Sequence, residues 1–223
     1  MSEPLSESIQ HYLREIYKLH AEDGEVTVTA LARRLQVSDP SASAMVKKLA
    51  VLELARHERY RGVELTDAGE RVALEVIRHH RLLELYLAET LGLHVDEVHD
   101  EADRLEHALS EELEERIDKA LGYPTHDPHG DPIPGADGAI ASRHLDNLLT
   151  CPIGKVLKVT RITDQDPAFL RFIERNQLKP GQRVEVEARD TAADAVRLSG
   201  INREPLTIGA GAASKLLVEL DRP

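Results

Sequence analysis

The 223-residue sequence contains one cysteine, no tryptophan and only 3% aromatic residues. A single thiol, Cys151, excludes an internal disulfide framework and a cysteine-rich zinc site. No apolar run approaches the roughly 18 residues that a membrane-spanning helix needs, and the N-terminus has no signal-peptide pattern. These absences predict a soluble, cytoplasmic protein with no membrane association, whose cores are built from aliphatic side chains.

The charge changes sign along the chain. The formal net charge is −12, which argues against a protein that coats nucleic acid without specificity. Between residues 27 and 65, however, lysine and arginine outnumber aspartate and glutamate. A basic island within an acidic chain is where we expect contacts with phosphate groups.

This basic island has the order of elements of a winged helix-turn-helix. A helix is predicted over residues 5–22, and two short helices follow over 27–35 and 38–52. Residues 54–65 predict a hairpin, with turn signals near Gly62. A helix pair that serves only for packing is the alternative, but the hairpin and the local positive charge favour DNA binding.

In a winged helix-turn-helix, the second helix of the motif enters the major groove through its N-terminal residues. The candidates for contact with bases or backbone are therefore the residues that open that helix: Ser38, Asp39, Pro40, Ser41 and Ser43. Basic residues later in the helix and in the wing are expected to contact phosphates: Lys47, Lys48, Arg59 and Arg61.

The stretch from residue 93 to residue 121 has the length and period of one amphipathic helix, with an apolar side chain every three or four residues. His99, Asp103, Glu106 and His107 border its apolar stripe, and their spacing brings them to one face. On the helix predicted for residues 66–90, His80 and Glu84 form a second pair. Any one of these residues is usually solvated, but the whole set indicates a divalent-metal site.

Nitrogen and oxygen ligands without thiolate suit Mn²⁺, Fe²⁺ or a similar octahedral ion better than a structural zinc. The loop over residues 122–138 is rich in proline and glycine. Its His126 and His129 could also be ligands, but histidines in loops are more often solvated, and this is the interpretation we favour. The sequence lacks the paired Glu-x-x-His motifs of a di-iron bundle. A metal-dependent enzyme and a metal-buffering protein without DNA contact are the rival functions. Neither explains the basic hairpin, so we expect a regulator and not an enzyme.

From residue 151 onward the apolar pattern changes to alternation. Five short strands with one helix near residues 167–176 predict a small β-barrel of SH3-like type. The expected fold class is therefore mainly α with a C-terminal β domain.

Four segments in chain order, HYLREIYKL, RHHRLLE, VHDEADRLEH and HGDPIPG, resemble the metal-dependent repressors of the diphtheria-toxin-repressor family, including its manganese-transport-regulator branch. The resemblance covers residues 5 to about 140 closely and the C-terminal part loosely. It implies a homodimeric transcriptional regulator that represses metal-uptake genes when the metal is replete. Two symmetry-related recognition helices imply a palindromic operator in double-stranded DNA.

The resemblance also implies two metal sites and a division into domains. Its primary site matches His11, Asp103, Glu106 and His107. Its ancillary site matches His80, Glu84 and His99, completed by Asp166, with Gln165 as the next choice. The expected domains are a winged helix-turn-helix (1–72), a helical metal-binding and dimerisation domain (73–138), a linker helix (139–150) and an SH3-like domain (151–223).

Three positions depart from the family pattern. His11 and Asp103 replace the sulfur ligands of iron-responsive members, which favours Mn²⁺. Arg14 matches a ligating glutamate of the manganese branch, and arginine cannot ligate a metal, so a two-metal cluster is not expected at the primary site. Ala44 matches a base-contacting glutamine of the iron repressors, so the operator sequence is expected to differ.

Overall fold

The computed structural model describes residues 5–58, 62–141, 143–200 and 203–221. The chain divides into two compact units. The first comprises Met1–His80, Asp103–Glu114 and Pro134–Ile140, and the second comprises Arg81–Ala102, Glu115–Ile133 and Ala141–Pro223. None of the helices in the described ranges combines the length and the apolar character that a membrane span requires.

The first unit contains the predicted winged helix-turn-helix. Its elements are α1 (Glu7–Asp23), α2 (Val28–Arg34), α3 (Asp39–Val51), β1 (Ala55–Glu58) and the antiparallel β2 (Gly62–Leu65). Thr27 caps α2 by accepting a hydrogen bond from the Ala30 N–H, and Ser38 caps α3 in the same way. An aliphatic core that includes Leu13, Leu31 and Leu49 buries the inner faces of these helices.

The hairpin is fixed next to its turn by Gly62, which pairs with Glu58 and whose φ is +79°. A Cβ at this position would lie 2.5 Å from the carbonyl oxygen of Val26, just before α2. The same carbonyl accepts a hydrogen bond of 2.8 Å from the Val63 N–H. The wing is therefore anchored to the helix-turn-helix. Arg59 and Arg61, which are predicted to contact phosphates, lie outside the described residues.

The helix predicted for residues 66–90 is α4 (Asp67–Glu89). The single helix predicted for residues 93–121 is wrong, because α5 (Val98–Leu105) ends in a 3₁₀ turn (Glu106–Ala108) and a new helix, α6, spans Glu111–Ala120. The Ser110 hydroxyl accepts a hydrogen bond from the Leu113 N–H and thereby opens α6. The apolar period continues across this break, so the sequence pattern does not reveal it.

The second unit contains a six-stranded antiparallel sheet in the order β3-β8-β4-β5-β6-β7. The strands are β3 (Asp146–Asn147), β4 (Val156–Ile162), β5 (Arg183–Asp190), β6 (Ala195–Gly200), β7 (Arg203–Gly209) and β8 (Leu216–Leu220). Helix α7 spans Pro167–Arg175 and α8 spans Ala210–Ala213. The five predicted strands correspond to β4–β8. The predicted fold class, mainly α with a C-terminal SH3-like β domain, is confirmed.

The linker helix predicted for residues 139–150 is wrong: the described part of this segment contains β3, which pairs with β8, and turns. The Asn147 Oδ1 atom accepts hydrogen bonds from the N–H groups of Leu149 and Thr150. Such side-chain bonds to nearby backbone compete with helix formation. Leu148 is fully buried in the core of the sheet, and its N–H donates to the carbonyls of Ala213 and Leu216.

Candidate metal centre and nucleic-acid interface

A cluster of carboxylates and imidazoles in the first unit gathers around α1. His80 comes from α4, Asp103 from the end of α5, and Glu106 and His107 from the 3₁₀ turn that follows. Glu106 is only 2% exposed. A carboxylate buried this deeply must be neutralised by a nearby cation or by hydrogen bonds.

Arg14 of α1 supplies this cation and is only 3% exposed. Its Nη1 donates to Asp103 Oδ1 at 2.7 Å and to both carboxylate oxygens of Glu106, at 2.7 and 2.9 Å. Its Nε donates to Glu15 at 3.1 Å. Burial acts to lower the pKa of Arg14, but the charges of Glu106, Asp103 and Glu15 outweigh it and raise the pKa above its ordinary value.

His80 contacts the same two carboxylates. Its Nδ1 lies 2.7 Å from Glu106 Oε2 and 3.2 Å from Asp103 Oδ1. Burial acts to raise the pKa of Asp103, but the hydrogen bond with His80 and the charge of Arg14 hold that pKa well below its ordinary value. Asp103 is therefore ionised at neutral pH, which is the state that can bind a cation.

The two remaining residues of the predicted primary site are also in this cluster. His107 Nδ1 lies 2.6 Å from Gln10 Oε1, and its Nε2 lies 3.4 Å from Glu106 Oε1. His11 is half-buried, and burial together with the charge of Arg14 lowers its pKa, although Glu15, Asp103 and Glu106 oppose the shift. A neutral imidazole is the form that ligates a metal.

These side chains line one cavity of about 460 Å³. Its lining residues are Glu7, Ser8, His11, Arg14, Asp103, Arg104, Glu106 and His107. The structure thus brings together all four residues predicted for the primary site. Their imidazole nitrogens and carboxylate oxygens are a donor set that fits a divalent ion such as Mn²⁺. Their role as ligands stays a prediction.

A second cluster lies in the second unit. Glu84 Oε1 is 3.0 Å from His99 Nδ1 and 3.8 Å from His129 Nε2. Glu84 and His129 are both 0% exposed. His129 is the loop histidine interpreted as solvated, and that interpretation is wrong. Its burial is the one feature of this cluster that sequence reasoning missed.

Hydrogen bonds of the Pro- and Gly-rich loop explain why His129 is buried. Asp127 Oδ1 accepts from the N–H groups of His129 at 2.8 Å and Asp131 at 2.9 Å, and the His129 carbonyl accepts from the N–H of Ile162 in β4. Burial, followed by the charges of Asp131 and Glu84, raises the pKa of Asp127 well above its ordinary value, against the effect of Arg81. The only sequence signal for this arrangement is the HGDPIPG segment itself.

The other predicted ancillary ligands make different contacts. Asp166 is exposed and caps α7 by accepting a hydrogen bond from the Phe169 N–H at 3.0 Å. Asp164, two residues earlier in the chain, accepts a hydrogen bond from Lys215. His80 belongs to the first unit, where it contacts Glu106. The assignment of Asp166 as a ligand stays a prediction.

The N-terminal end of α3 presents the predicted DNA contacts at the surface. Ser38, Asp39, Pro40 and Ser41 are exposed, as are Lys47 and Lys48, and Ser43 is half-buried. Ala42 and Val46 face the core and hold the helix in place. Asp39 accepts a hydrogen bond from the Thr29 hydroxyl of α2, which ties the two helices together at this end. DNA contact by these residues stays a prediction.

Three family models match successive parts of the chain. Residues 4–63 match the N-terminal DNA-binding domain of the iron-dependent repressors. Residues 66–135 match their metal-binding and dimerisation domain. Residues 147–220 match the FeoA domain.

Curated relatives and solved structures resemble the chain over most of its length. The iron-dependent repressor IdeR of Mycobacterium leprae is 35% identical over 195 residues, which are 82% of this chain and 85% of that protein. The diphtheria toxin repressor of Corynebacterium diphtheriae is 32% identical over 83% of this chain and 87% of its own. The structure of a manganese-dependent transcriptional repressor in complex with manganese superposes with a TM-score of 0.86 at 40% identity, covering 95% of this chain and 99% of the other.

Proposed function

The chain belongs to the family of metal-dependent transcriptional repressors that includes the diphtheria toxin repressor, and we propose that it binds a palindromic operator as a homodimer when its primary site holds Mn²⁺. Members of this family are DNA-binding regulators and not enzymes. The chain is accordingly a metal-responsive DNA-binding regulator. Because it acts on DNA, we place it in the cytoplasm, where it represses metal-uptake genes when the metal is replete.

One observation carries the proposal: in the first unit, the candidate ligands contact the helix that begins the DNA-binding domain. His11 on α1 lines the same cavity as Asp103, Glu106 and His107, which come from a distant part of the chain. A divalent ion bound in this cavity would be ligated both by α1 and by the segment of residues 103–107. His11 and the three later ligands would then hold α1 in one position relative to the 3₁₀ turn.

The donor chemistry supports Mn²⁺, with Fe²⁺ as the alternative. The four candidate ligands are two carboxylates and two imidazoles, which are harder donors than the thiolates that select zinc or copper. The single cysteine of the chain, Cys151, is buried in the core of the sheet. Among the similar structures, one holds manganese and another holds cadmium.

We also propose a second metal site in the second unit, formed by Glu84, His99 and His129. The distances of 3.0 and 3.8 Å from Glu84 Oε1 to the two imidazoles support it. Glu84 and His129 are both fully buried, and a carboxylate and imidazoles held this close together are a donor set that fits a divalent cation. Asp166 remains the predicted addition to this set, and His80, which lies in the first unit, stays a predicted ligand. In the proposed division of the chain, residues 1–72 contact DNA, residues 73–138 bind metal and dimerise, and residues 151–223 form the SH3-like domain.

The proposal is tested by measuring DNA affinity with and without metal. A duplex operator is first selected from random oligonucleotides in the presence of Mn²⁺, and binding is then followed by fluorescence anisotropy. We expect Mn²⁺ to raise the affinity of the wild-type protein about tenfold or more, a typical size for a coupling between two sites. Asp103→Ala and His107→Ala should abolish this increase, because each removes a ligand of the primary site.

Asp100→Ala is the matched control, since Asp100 is an exposed aspartate of the same helix α5. It should respond to Mn²⁺ as the wild type does. Gel filtration should show that all three variants keep the dimer. Equal DNA affinity after thorough chelation would refute the metal switch, and a full response in both Asp103→Ala and His107→Ala would refute the primary site.

A further inference from the structure

Arg14 uses the same oxygen atoms that the primary site offers to a metal. Its Nη1 lies 2.7 Å from Asp103 Oδ1 and within 2.9 Å of both oxygens of Glu106. Glu106 also accepts a hydrogen bond from His80. Because its side chain is only 1% exposed, solvent hydrates its negative charge very little. A single guanidinium therefore hydrogen-bonds to two of the four candidate ligands.

A guanidinium and a divalent cation cannot share these oxygens. Both are positive, and at such short distances in a buried site with little screening their repulsion is large. Hydrogen bonds from Arg14 also occupy the carboxylate lone pairs that a metal would need. Asp103 and Glu106 can therefore bind either Arg14 or a metal ion, but not both in the arrangement seen here.

Arg14 has another anionic partner on its own helix. Its Nε donates to Glu15 Oε1 at 3.1 Å, and Glu15 is 6% exposed. Glu15 is approached by two more cations, Lys18 at 3.8 Å and Arg34 of α2 at 3.9 Å. Because these two contacts are longer than the one with Arg14, Glu15 can keep Arg14 paired after Arg14 has left the other carboxylates.

We propose that Arg14 is an exchangeable counter-ion of the primary site, which neutralises Asp103 and Glu106 when they hold no metal and withdraws toward Glu15 when they ligate one. This inference rests on the proposed function, because it concerns the same site. Arg14 stabilises the metal-free protein and competes with metal binding. Glu15 favours metal binding, because it offers Arg14 an alternative partner.

The two residues are expected to shift metal affinity in opposite directions. In Arg14→Gln the competing charge is gone, so the Kd for Mn²⁺, measured by calorimetric titration without DNA, should fall about tenfold or more. In Glu15→Gln the alternative partner is gone, and Arg14 is held more firmly by Asp103 and Glu106. The Kd for Mn²⁺ should then rise several-fold. Replacing a residue that only braces the fold would leave metal binding unchanged or weaken it, so tighter Mn²⁺ binding by Arg14→Gln separates the two roles.

Thermal unfolding provides a second readout. In chelator, Arg14→Gln should have a lower Tm than the wild type, because the two carboxylates lose their cation. In saturating Mn²⁺ this difference in Tm should become small. Arg14→Lys keeps a positive charge and should bind Mn²⁺ with nearly the wild-type Kd.

Arg78→Gln is the matched control. Arg78 is also a buried arginine of the first unit, and it pairs with Glu114. Its replacement should lower the Tm by the same amount with and without Mn²⁺ and leave the Kd for Mn²⁺ unchanged.

The results distinguish this inference from the proposed function. If Mn²⁺ stimulates DNA binding by the wild type but Arg14→Gln binds Mn²⁺ no more tightly, the exchange is refuted and the regulator stands. If the wild type binds DNA equally with and without Mn²⁺, the proposed function is refuted, and the Kd of Arg14→Gln still decides the exchange. If Arg14→Gln does not fold in chelator, Glu15→Gln decides: unchanged or tighter Mn²⁺ binding refutes the exchange.

Discussion

At the scale of single residues, burial decides which ionisable side chains are suited to bind a metal. Glu84 and Glu106 are nearly inaccessible, and each contacts imidazoles or a guanidinium. The exposed acids of α6, such as Glu111 and Glu112, have the same chemistry but remain hydrated. Only the buried carboxylates lose free energy when they lack a cation, so they are the better candidates for ligands.

His99 provides a test of the second site. It lies 3.0 Å from Glu84 and is only half-buried, so replacement with alanine should leave the fold intact. We expect His99→Ala to bind one Mn²⁺ per protomer where the wild type binds two, because loss of a ligand weakens a site strongly. Metal analysis after gel filtration in buffer of fixed Mn²⁺ concentration counts the ions.

His94→Ala is the control for this measurement, because His94 is an exposed histidine of the same unit. It should retain two ions. Two ions in His99→Ala would remove His99 from the ligand set, and a single ion in the wild type would remove the second site.

At the scale of elements, the loop that carries His129 depends on one glycine and one bulge. The pairing of β4 with β8 shifts register between Val159 and Arg161, which leaves Thr160 as the extra residue. Gly130 has a φ of +84°, and a Cβ on it would lie 1.9 Å from the Thr160 carbonyl oxygen. The loop can approach the bulge this closely only because residue 130 has no side chain.

Gly130→Ala should therefore destabilise the protein by about 3 kcal/mol, through both the strained backbone and the clash. Gly154→Ala is the matched control: its φ is +68°, but a Cβ there meets nothing within 4 Å. It should cost only about 1 kcal/mol, the cost of the backbone conformation alone. Urea unfolding in chelator measures both. Equal losses of stability would show that the contact with Thr160 is unimportant.

At the scale of the whole molecule, an acidic protein must still approach DNA. The net charge is −12, but the exposed Lys47 and Lys48 of α3 belong to the basic segment between residues 27 and 65. A dimer brings two such segments together, and the phosphate contacts of both contribute to affinity. Binding by a single protomer would use only half of these contacts.

We therefore expect two protomers per operator, with half-sites about one helical turn apart. Hydroxyl-radical footprinting with Mn²⁺ should show protection that is symmetric about the centre of the operator. Analytical ultracentrifugation of the complex gives the stoichiometry. A duplex in which one half-site is scrambled is the control, and it should bind more weakly. Protection of one asymmetric segment by a single protomer would contradict the prediction that a homodimer binds a palindromic operator.

The sequence by itself determined most of the elements, because the signals that define them are local. Apolar periodicity and capping residues such as Ser38 predicted the helices of the winged domain, and alternation predicted β4–β8. The candidate primary ligands also came from the sequence, Asp103 from its helical spacing and His11 from the resemblance. Each of these inferences needs only neighbouring residues or a recognisable segment.

The tertiary structure decided which of these groups meet. Arg14 is 89 residues from Asp103 and 92 from Glu106, so no local pattern shows that it neutralises both. The burial of His129 depends on a carbonyl–amide contact with Ile162, and β3 depends on its pairing with β8. A periodic pattern specifies which face of an element is buried but not which distant charge lies opposite it, and the metal chemistry proposed here depends on those charges.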